Sequence, residues 1–351
     1  MLEKTKKAFV ELGRFLAQFK EYETNTSSEV LFNDLFFNRF LHLIEDQKHH
    51  NGWFTESEVY FSIQSWAKAL TQDNLDTWLS AYDISEKTPK TVGLILAGNV
   101  PLVGFHDFLS VLITGHKALV KTSSNDKQLL PFLAEYLARV EPSLNDRIEF
   151  TDQKLQGFDA VIATGSNNTA RYFEYYFKDK PSIIRKNRNS VAVLNGTETH
   201  EELVELGKDI FTYFGLGCRN VSKVFVPKDY DFEKLFRAMY EYRDIIHNQK
   251  YINNYDYNKA VFLMSNFLVL DNGFLILKED TSYSSPISAV FYEYYSDLEN
   301  IKKRLSQDND LIQCVVSKDL IENSVAFGQT QLPKLWDYAD NVDTVAFLNT
   351  I

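Results

Sequence analysis

The sequence predicts an α/β protein: two α/β units behind a helical amino-terminal segment. Three observations carry this. Apolar residues recur at helical spacing through the first 85 positions. Short apolar runs then alternate with amphipathic stretches from residue 91. The alternation restarts near residue 190 and continues towards the carboxyl end. Repeated strand–helix alternation at this spacing argues for parallel sheets with helices on both faces. In such sheets ligands bind outside the carboxyl ends of the strands.

In chain order, Phe9, Leu12, Phe15, Leu16 and Phe19 set a helical stripe. Leu31 to Leu43 is dense in Phe and Leu, and Trp53, Trp66, Leu70, Trp78 and Leu79 continue the pattern. The polar stretch "SEKTPK", residues 85–90, ends this segment. "TVGLILA" (91–97) reads as a buried strand ending at Gly98, and "PLVGFHDFLSVLIT" (101–114) as a helix with Pro101 near its first turn. "KALVKT" (117–122) is a strand, and "SSNDKQLLPFLAEYLARV" (123–140) a helix with Ser, Asn and Asp as caps and Pro131 within or bending it. "FDAVIATGS" (158–166) is a strand entering a glycine turn, and "NNTARYFEYYF" (167–177) the next helix, its aromatics expected to pack in the core rather than line a tunnel for an apolar chain. "SVAVLNG" (190–196) opens the second unit. A helix over 200–215 follows, begun by Thr199 or His200 and stopped at Gly215, then a strand at 222–227 and a helix at 231–245. "AVFLM" (260–264), "FLVL" (267–270) and "FLILKE" (274–279) read as strands. "SPISAVFYEYY" (285–295), "LENIKKRL" (298–305) and "LIQCVVS" (311–317) resume the alternation. The chain thus divides at about 1–88, 89–190 and 191–351.

With 351 residues and 44% hydrophobic content, the chain can bury two cores. Its net charge of −11 and lack of a basic patch argue against nucleic-acid binding. No apolar run is long enough for a membrane span, and "MLEKTKKAFVELGRFLAQF" lacks the apolar core of a signal peptide. Its two cysteines, Cys218 and Cys314, form no CxxC and no metal set, so no metal site is expected. The setting inferred is reducing and cytoplasmic, where a thiol persists.

Four motifs carry chemistry. In "FGLGCRNVSKVFVP" (214–227), Cys218 stands between Gly217 and Arg219 at the mouth of a strand. It is either a small buried apolar residue or a thiolate nucleophile favoured by a nearby cation or backbone N–H groups. Cys314, in an apolar strand, takes the first reading. In "AGNVP" (97–101), Asn99 either caps a turn or donates its amide to an oxyanion. In "VKTSS" (120–124), Lys121 stands at a strand's carboxyl end with Ser123 and Ser124 behind it, either solvated or placed for a ribose or phosphate. In "ATGSNNT" (163–169), Gly165 and Ser166 form a strand-to-helix turn that can border a diphosphate, though one glycine is weak evidence.

Taken in order, "AGNVP", "VKTSS", "ATGS" and "GLGCRNVSKVFVP" resemble the aldehyde dehydrogenase superfamily. More specifically they resemble the bacterial acyl-CoA reductase (LuxC-type fatty acid reductase) family, with "SPISAVFYEYYSDLENIKKRL" (285–305) as a further likeness. The resemblance implies an aldehyde-dehydrogenase-like fold. Its helical segment, residues 1–88, would pack on a nicotinamide-cofactor-binding domain at 89–190, and a catalytic domain at 191–351 would carry Cys218, the last residues returning to the cofactor domain. It implies Cys218 as the acyl-accepting nucleophile and Asn99 as an oxyanion donor. Lys121 would lie at the adenosine ribose with Ser123 and Ser124 beside it, and Gly165 and Ser166 along the cofactor.

Two departures from the superfamily pattern shape the function it implies. The region "IIRKNRNSVAVL" (183–194) holds no glutamate where hydrolysing members have the base that activates water; without a base, an acyl-cysteine survives. Ser124 stands where NAD-preferring members have a glutamate, which removes repulsion toward a 2′-phosphate and points to NADPH, with NADH as the other cofactor. Glu279 and Asp280 are out of register with the superfamily's late ribose-anchoring glutamate. The implied reaction is NADPH-dependent reduction of a long-chain acyl thioester, acyl-CoA or acyl carrier protein, to the fatty aldehyde. The alternatives are an acyl-binding or acyl-transfer protein with a degenerate cofactor site, and an aldehyde dehydrogenase oxidising aldehydes. An acyl-protein ligase partner is a family-level expectation. The chain stops at "DTVAFLNTI" without the superfamily's extended arm, so a homodimer would be built differently or be small.

Overall fold

The computed structural model describes residues 1–84 and 87–351; Ser85 and Glu86 of the polar break "SEKTPK" lie outside the described residues. The chain forms two compact units, residues 1–186 with 334–351, and residues 187–333.

The first unit begins with helices α1 (Leu2–Leu16), α2 (Asn33–His50), α3 (Glu56–Ala69) and α4 (Gln72–Leu79). Thr55 and Thr71 cap α3 and α4, accepting from Glu58 N–H and Asn74 N–H, which satisfies donors that have no partner inside the helix. There follow β1 (Thr91–Ile95), α5 (Phe105–Ile113), β2 (Lys117–Lys121), α6 (Leu129–Val140), β3 (Ile148–Phe150), β4 (Ala160–Thr164), α7 (Asn167–Tyr176) and β5 (Ser182–Arg185). The five strands are parallel, in the order β3-β2-β1-β4-β5. Register places Val92 beside Ala118 and Ala160, and Leu94 beside Val120 and Ile162. Since side chains alternate along a strand, one face presents Val92, Leu94, Ala118, Val120 and Ile162 to a core shared with the amino-terminal helices. There Phe9, Leu12, Phe15, Leu16 and Phe19 are fully buried. Phe15 stacks on Tyr136 at 4.4 Å and Phe40 on Phe132 at 4.9 Å.

Several elements differ from expectation. The helix α5 starts at Phe105, four residues after Pro101. Leu102 takes a left-handed conformation (φ 58°), and its N–H donates to the Asp126 carboxylate at 3.0 Å, so 101–104 form a turn instead. The helix α6 starts at Leu129, because Ser123 and Asp126 close a tight bridge, Asp126 N–H donating to Ser123 O at 3.2 Å. Pro131 is the third residue of α6, where a missing N–H costs little. The edge strands β3 and β5, three and four residues long, are too short to show a period. The helix α7 buries only Ala170; Tyr172, Tyr175 and Tyr176 are exposed, so its aromatics are not the core residues expected.

The second unit holds β6 (Asn189–Val193), α8 (His200–Phe211), β7 (Val221–Pro227), α9 (Phe232–Met239), α10 (Gln249–Met264), β8 (Val269–Asp271), β9 (Ile276–Glu279), β10 (Ala289–Tyr295), α11 (Leu298–Gln307) and β11 (Ile312–Val316). Its sheet runs β11-β6-β7-β10-β9-β8, parallel except for β8. A reciprocal capping box between Thr199 and Glu202 starts α8. "AVFLM" is not a strand but the last turns of α10. Asn248 caps that helix, accepting from Lys250 and Tyr251 N–H groups, and Tyr251, Tyr255, Asn258 and Phe262 are buried at helical spacing. The chain then returns to the first unit, where α12 (Thr344–Asn349) buries Val345 and Leu348 in the same core as α5. The buried Arg185–Asp107 pair, 2.6 Å apart, joins β5 to α5, and Arg185 also donates to Ala339 O at 2.7 Å. Among the described residues no helix is long and apolar enough to cross a membrane.

Candidate active site

In the first unit, Ile95 lies beside both Lys121 and Ala163, so the carboxyl ends of β1, β2 and β4 are level. The chain lays β2 and β3 on one side of β1, then β4 and β5 on the other. The boundary between β1 and β4 is therefore a topological switch point, the place where open α/β sheets hold ligands. Asn99, exposed, lies in the connection after β1. Lys121 ends β2, and its Nζ donates to Gln153 O at 3.2 Å. Ser123 and Ser124 follow it. The backbone at Gly98 passes so close to Ser123 that a Cβ there would sit 2.6 Å from its Oγ, so the loops after β1 and β2 are packed together. Gly165 and Ser166 follow β4; Gly165 N–H donates to Arg185 O at 3.2 Å. Ser166 caps α7, its Oγ accepting from Thr169 N–H at 3.3 Å. The fold thus brings Asn99, Lys121, Ser123, Ser124, Gly165 and Ser166 to one edge of one sheet.

The same edge contains a residue that motif reading missed. Asp126 is 6% exposed. Its Oδ2 accepts the Leu102 N–H, while its Oδ1 has no hydrogen-bond partner among the described residues. Burial, which penalises the charged form, pushes its carboxyl up to about 6.

Cys218 belongs to the second unit. It is exposed, in the connection from α8 to β7. That connection is strained. Tyr213 and Phe214 both take left-handed backbone conformations, φ 55° and 56°, a region costing bulky residues about 1–2 kcal/mol each. Gly215 follows at φ 76°, where only glycine enters freely. Asn220 holds the loop. Its side chain accepts the Gly217 N–H at 2.8 Å and donates to the carbonyls of Asp209, Ile210 and Thr212 at 3.1, 3.3 and 2.8 Å. Those carbonyls close the end of α8, so one side chain ties the helix terminus to the cysteine loop. The signal in the sequence was an asparagine two residues after the cysteine. Asp209, 1% exposed, accepts from Gly328 N–H, Thr330 N–H and Thr330 Oγ1 at 2.7–3.0 Å; burial pushes its carboxyl up to about 6 against those bonds.

Beneath Cys218 lies Ser190, fully buried on β6. Its Oγ is 2.9 Å from Cys218 O and 3.0 Å from Cys314 Sγ. Motif reading did not reach it, because only the sheet places 190, 218 and 314 together. Five residues past Cys218, Lys223 is fully buried, its Nζ donating to Glu293 at 2.6 Å and to Asp280 O at 2.8 Å. Burial lowers its pKa and the Glu293 contact opposes the shift. Among the described residues no cluster could hold a metal ion.

The family model for acyl-CoA reductase (LuxC) matches residues 62–241, a span that includes the loops after β1, β2 and β4 and Cys218. Two curated relatives are similar. A long-chain acyl-protein thioester reductase 2 of Photobacterium leiognathi is 23% identical over 54% of this chain and 44% of its own length. A long-chain acyl-protein thioester reductase of Aliivibrio fischeri is 25% identical over 59% and 47%. The match therefore takes in about half the length of these relatives. Among solved structures, aldehyde dehydrogenase 21 of Physcomitrella patens, in complex with the reaction product succinate, superposes with a TM-score of 0.66 at 13% identity. That superposition covers 99% of this chain and 84% of that one. An NAD+ complex of an aldehyde dehydrogenase from Bacillus cereus gives 0.60 at 14% identity, over 89% and 71%. The fold is that of the aldehyde dehydrogenases.

Proposed function

Because the chain belongs to the acyl-CoA reductase (LuxC) family, we propose that it reduces a long-chain acyl thioester to the aldehyde through an acyl group carried on Cys218. The observation that carries this reading is an exposed thiol on a loop strained before it and tied down after it. Strain of that kind persists where the surrounding structure over-determines it, and it clusters at functional sites.

The Cys218 thiolate attacks the thioester carbonyl, and the carrier's thiol, of coenzyme A or an acyl carrier protein, leaves. Asn99 serves as the oxyanion donor. No carboxylate base stands in residues 183–194 to activate water, so the acyl-cysteine persists rather than hydrolysing. Collapse of the reduced adduct releases the aldehyde and returns the Cys218 sulfur.

A nicotinamide cofactor would supply the hydride for that reduction. The donors at the first sheet's edge fit such a group. Lys121, Ser123, Ser124 and the amino terminus of α7 at Ser166 offer an ammonium, hydroxyls and backbone N–H groups to a ribose and a diphosphate. Ser124 adds no negative charge, which favours NADPH over NADH.

Long-chain acyl-CoA labelled in the acyl group tests the reading. The label should bind the protein covalently and be discharged as aldehyde on adding NADPH. Cys218→Ala should abolish both while circular dichroism and Tm stay unchanged. Label indifferent to NADPH and NADH would point to acyl transfer, and rapid release of acid to hydrolysis of the acyl-cysteine, the deacylation step of an aldehyde-oxidising enzyme; either replaces this reading.

A further inference from the structure

Ser190 stands between two irregularities of the second sheet. On one side β6 advances two residues, Asn189 to Val191, while β11 advances three, Ile312 to Val315. On the other side β6 advances one, Ser190 to Val191, while β7 advances two, Val221 to Lys223. Each neighbour thus carries one extra residue beside Ser190. Bulges of this kind re-aim side chains and are enriched next to active sites. Here the extra residues fall at 313–314 and at Ser222, next to Cys314 and four positions past Cys218.

The hydrogen-bond direction follows from the chemistry of the groups. A serine hydroxyl has one proton to give. The Cys218 carbonyl can only accept, so at 2.9 Å it takes that proton. Ser190 Oγ can then only accept from Cys314, 3.0 Å away, so the thiol S–H is the donor. The chain runs from Cys314 S–H through Ser190 O–H to the Cys218 carbonyl. Burial pushes the Cys314 thiol up to about 11, with Arg219 and the Ser190 contact opposing and Cys218 and Asp209 adding to the shift, so it keeps its proton at neutral pH.

We propose that Ser190, itself oriented by the Cys314 thiol, is a positioning residue for Cys218. The peptide group after Cys218 is planar. Pinning its carbonyl toward Ser190 directs the Arg219 N–H the opposite way and fixes the backbone from which the sulfur projects. It also keeps the negative end of that carbonyl from turning toward the sulfur, where it would disfavour the thiolate. Cys314 is then a hydrogen-bond donor in a buried network, not a small apolar residue of a strand. The acylation half of the test rests on the reading of Cys218 as acyl acceptor; the alkylation half does not.

The full chain and its Ser190→Ala, Cys314→Ala and Cys314→Ser variants are compared by two measurements. One is the pH profile of iodoacetamide alkylation at Cys218, followed on the peptide that carries it. The other is single-turnover acylation by long-chain acyl-CoA. Ser190→Ala should move the alkylation profile to higher pH and slow acylation about tenfold without changing the acyl-CoA concentration for half-saturation. A displacement on the order of 1 Å can cost up to roughly a hundredfold. Cys314→Ala should show the same changes in weaker form, and Cys314→Ser, which restores an O–H donor, should recover most of the loss. The proposal is overturned if the Ser190→Ala profile superimposes on the parent's, or if Cys314→Ser behaves like Cys314→Ala. Should Ser190→Ala fail to fold, the Cys314 pair decides. An alkylation shift without acylation in the parent protein would uphold positioning and refute the acyl-acceptor reading. Acylation in the parent with both measurements untouched in every variant would do the reverse.

Discussion

Asn220 shows most directly how one side chain builds the cysteine loop. Its amide joins three carbonyls at the end of α8 to the Gly217 N–H. Asn220→Ala leaves those buried groups unpaired, each costing about 1–3 kcal/mol. Urea denaturation should register a loss of at least about 2 kcal/mol, and acylation of Cys218 should slow by an order of magnitude or so. Full acylation in a destabilised Asn220→Ala protein would show that the loop does not depend on this tie. In the proposed function, Ser124 bears on the cofactor. Ser124→Glu should lower the NADPH-to-NADH preference about tenfold or more, since like charges brought together cost several kcal/mol. Relative kcat/KM for the two cofactors reads this, and an unchanged ratio would remove Ser124 from the cofactor site.

Among elements, the connection from α8 to β7 combines a stable start with a strained end. The capping box at Thr199–Glu202 secures the first turn of α8, while Tyr213, Phe214 and Gly215 leave it through left-handed conformations. A Cβ at Gly215 would enter that region at a cost of roughly 1–2 kcal/mol. Gly215→Ala should therefore lower the urea midpoint by a corresponding amount while helix content by circular dichroism is kept; no change would mean that the turn relaxes freely. The elements that sequence periodicity found were those of regular length, such as α1 with its Phe9–Phe19 stripe and β1, β2, β4 and β7. Periodicity failed where side-chain contacts outside the segment decided the boundary. The Asp126 carboxylate takes Leu102 N–H into a turn and so delays α5. The buried stripe from Tyr251 to Phe262 carries α10 through residues that favour strands.

At the scale of the whole chain, a net charge of −11 makes buried carboxylates without a cationic partner a pH liability, and Asp126 in the first unit and Asp209 in the second are two such groups. Burial pushes both up to about 6, above the ordinary value near 4 of an unfolded chain. The folded protein therefore binds more protons than the unfolded one between those values. The stability these two acids contribute is fully present below about pH 4 and lost as pH rises through about 6, on the order of 2–3 kcal/mol for each. Opposing this, Asp76, Asp271 and Asp280 are held below their ordinary range by lysine partners, and what they contribute is lost on acidification. Asp126→Asn should shrink the change in urea midpoint between pH 4 and pH 6. A variant with the parent's full pH dependence would show that the Asp126 carboxyl titrates normally.

From the sequence alone came the α/β class, the order of the strand-end motifs and the prominence of Cys218, because these are local: they need only alternation of apolar runs and small or polar residues at their ends. The family resemblance read from "AGNVP", "VKTSS", "ATGS" and "GLGCRNVSKVFVP" agrees with the family match over 62–241. Tertiary structure alone decided which distant residues share a hydrogen bond. Ser190 and Cys314 are 28 and 96 positions from Cys218, and nothing in their own segments marks them. They meet the cysteine loop through the pairing of β6 with β7 and β11, and a register is set by the packing of whole sheets, not by any one stretch of chain.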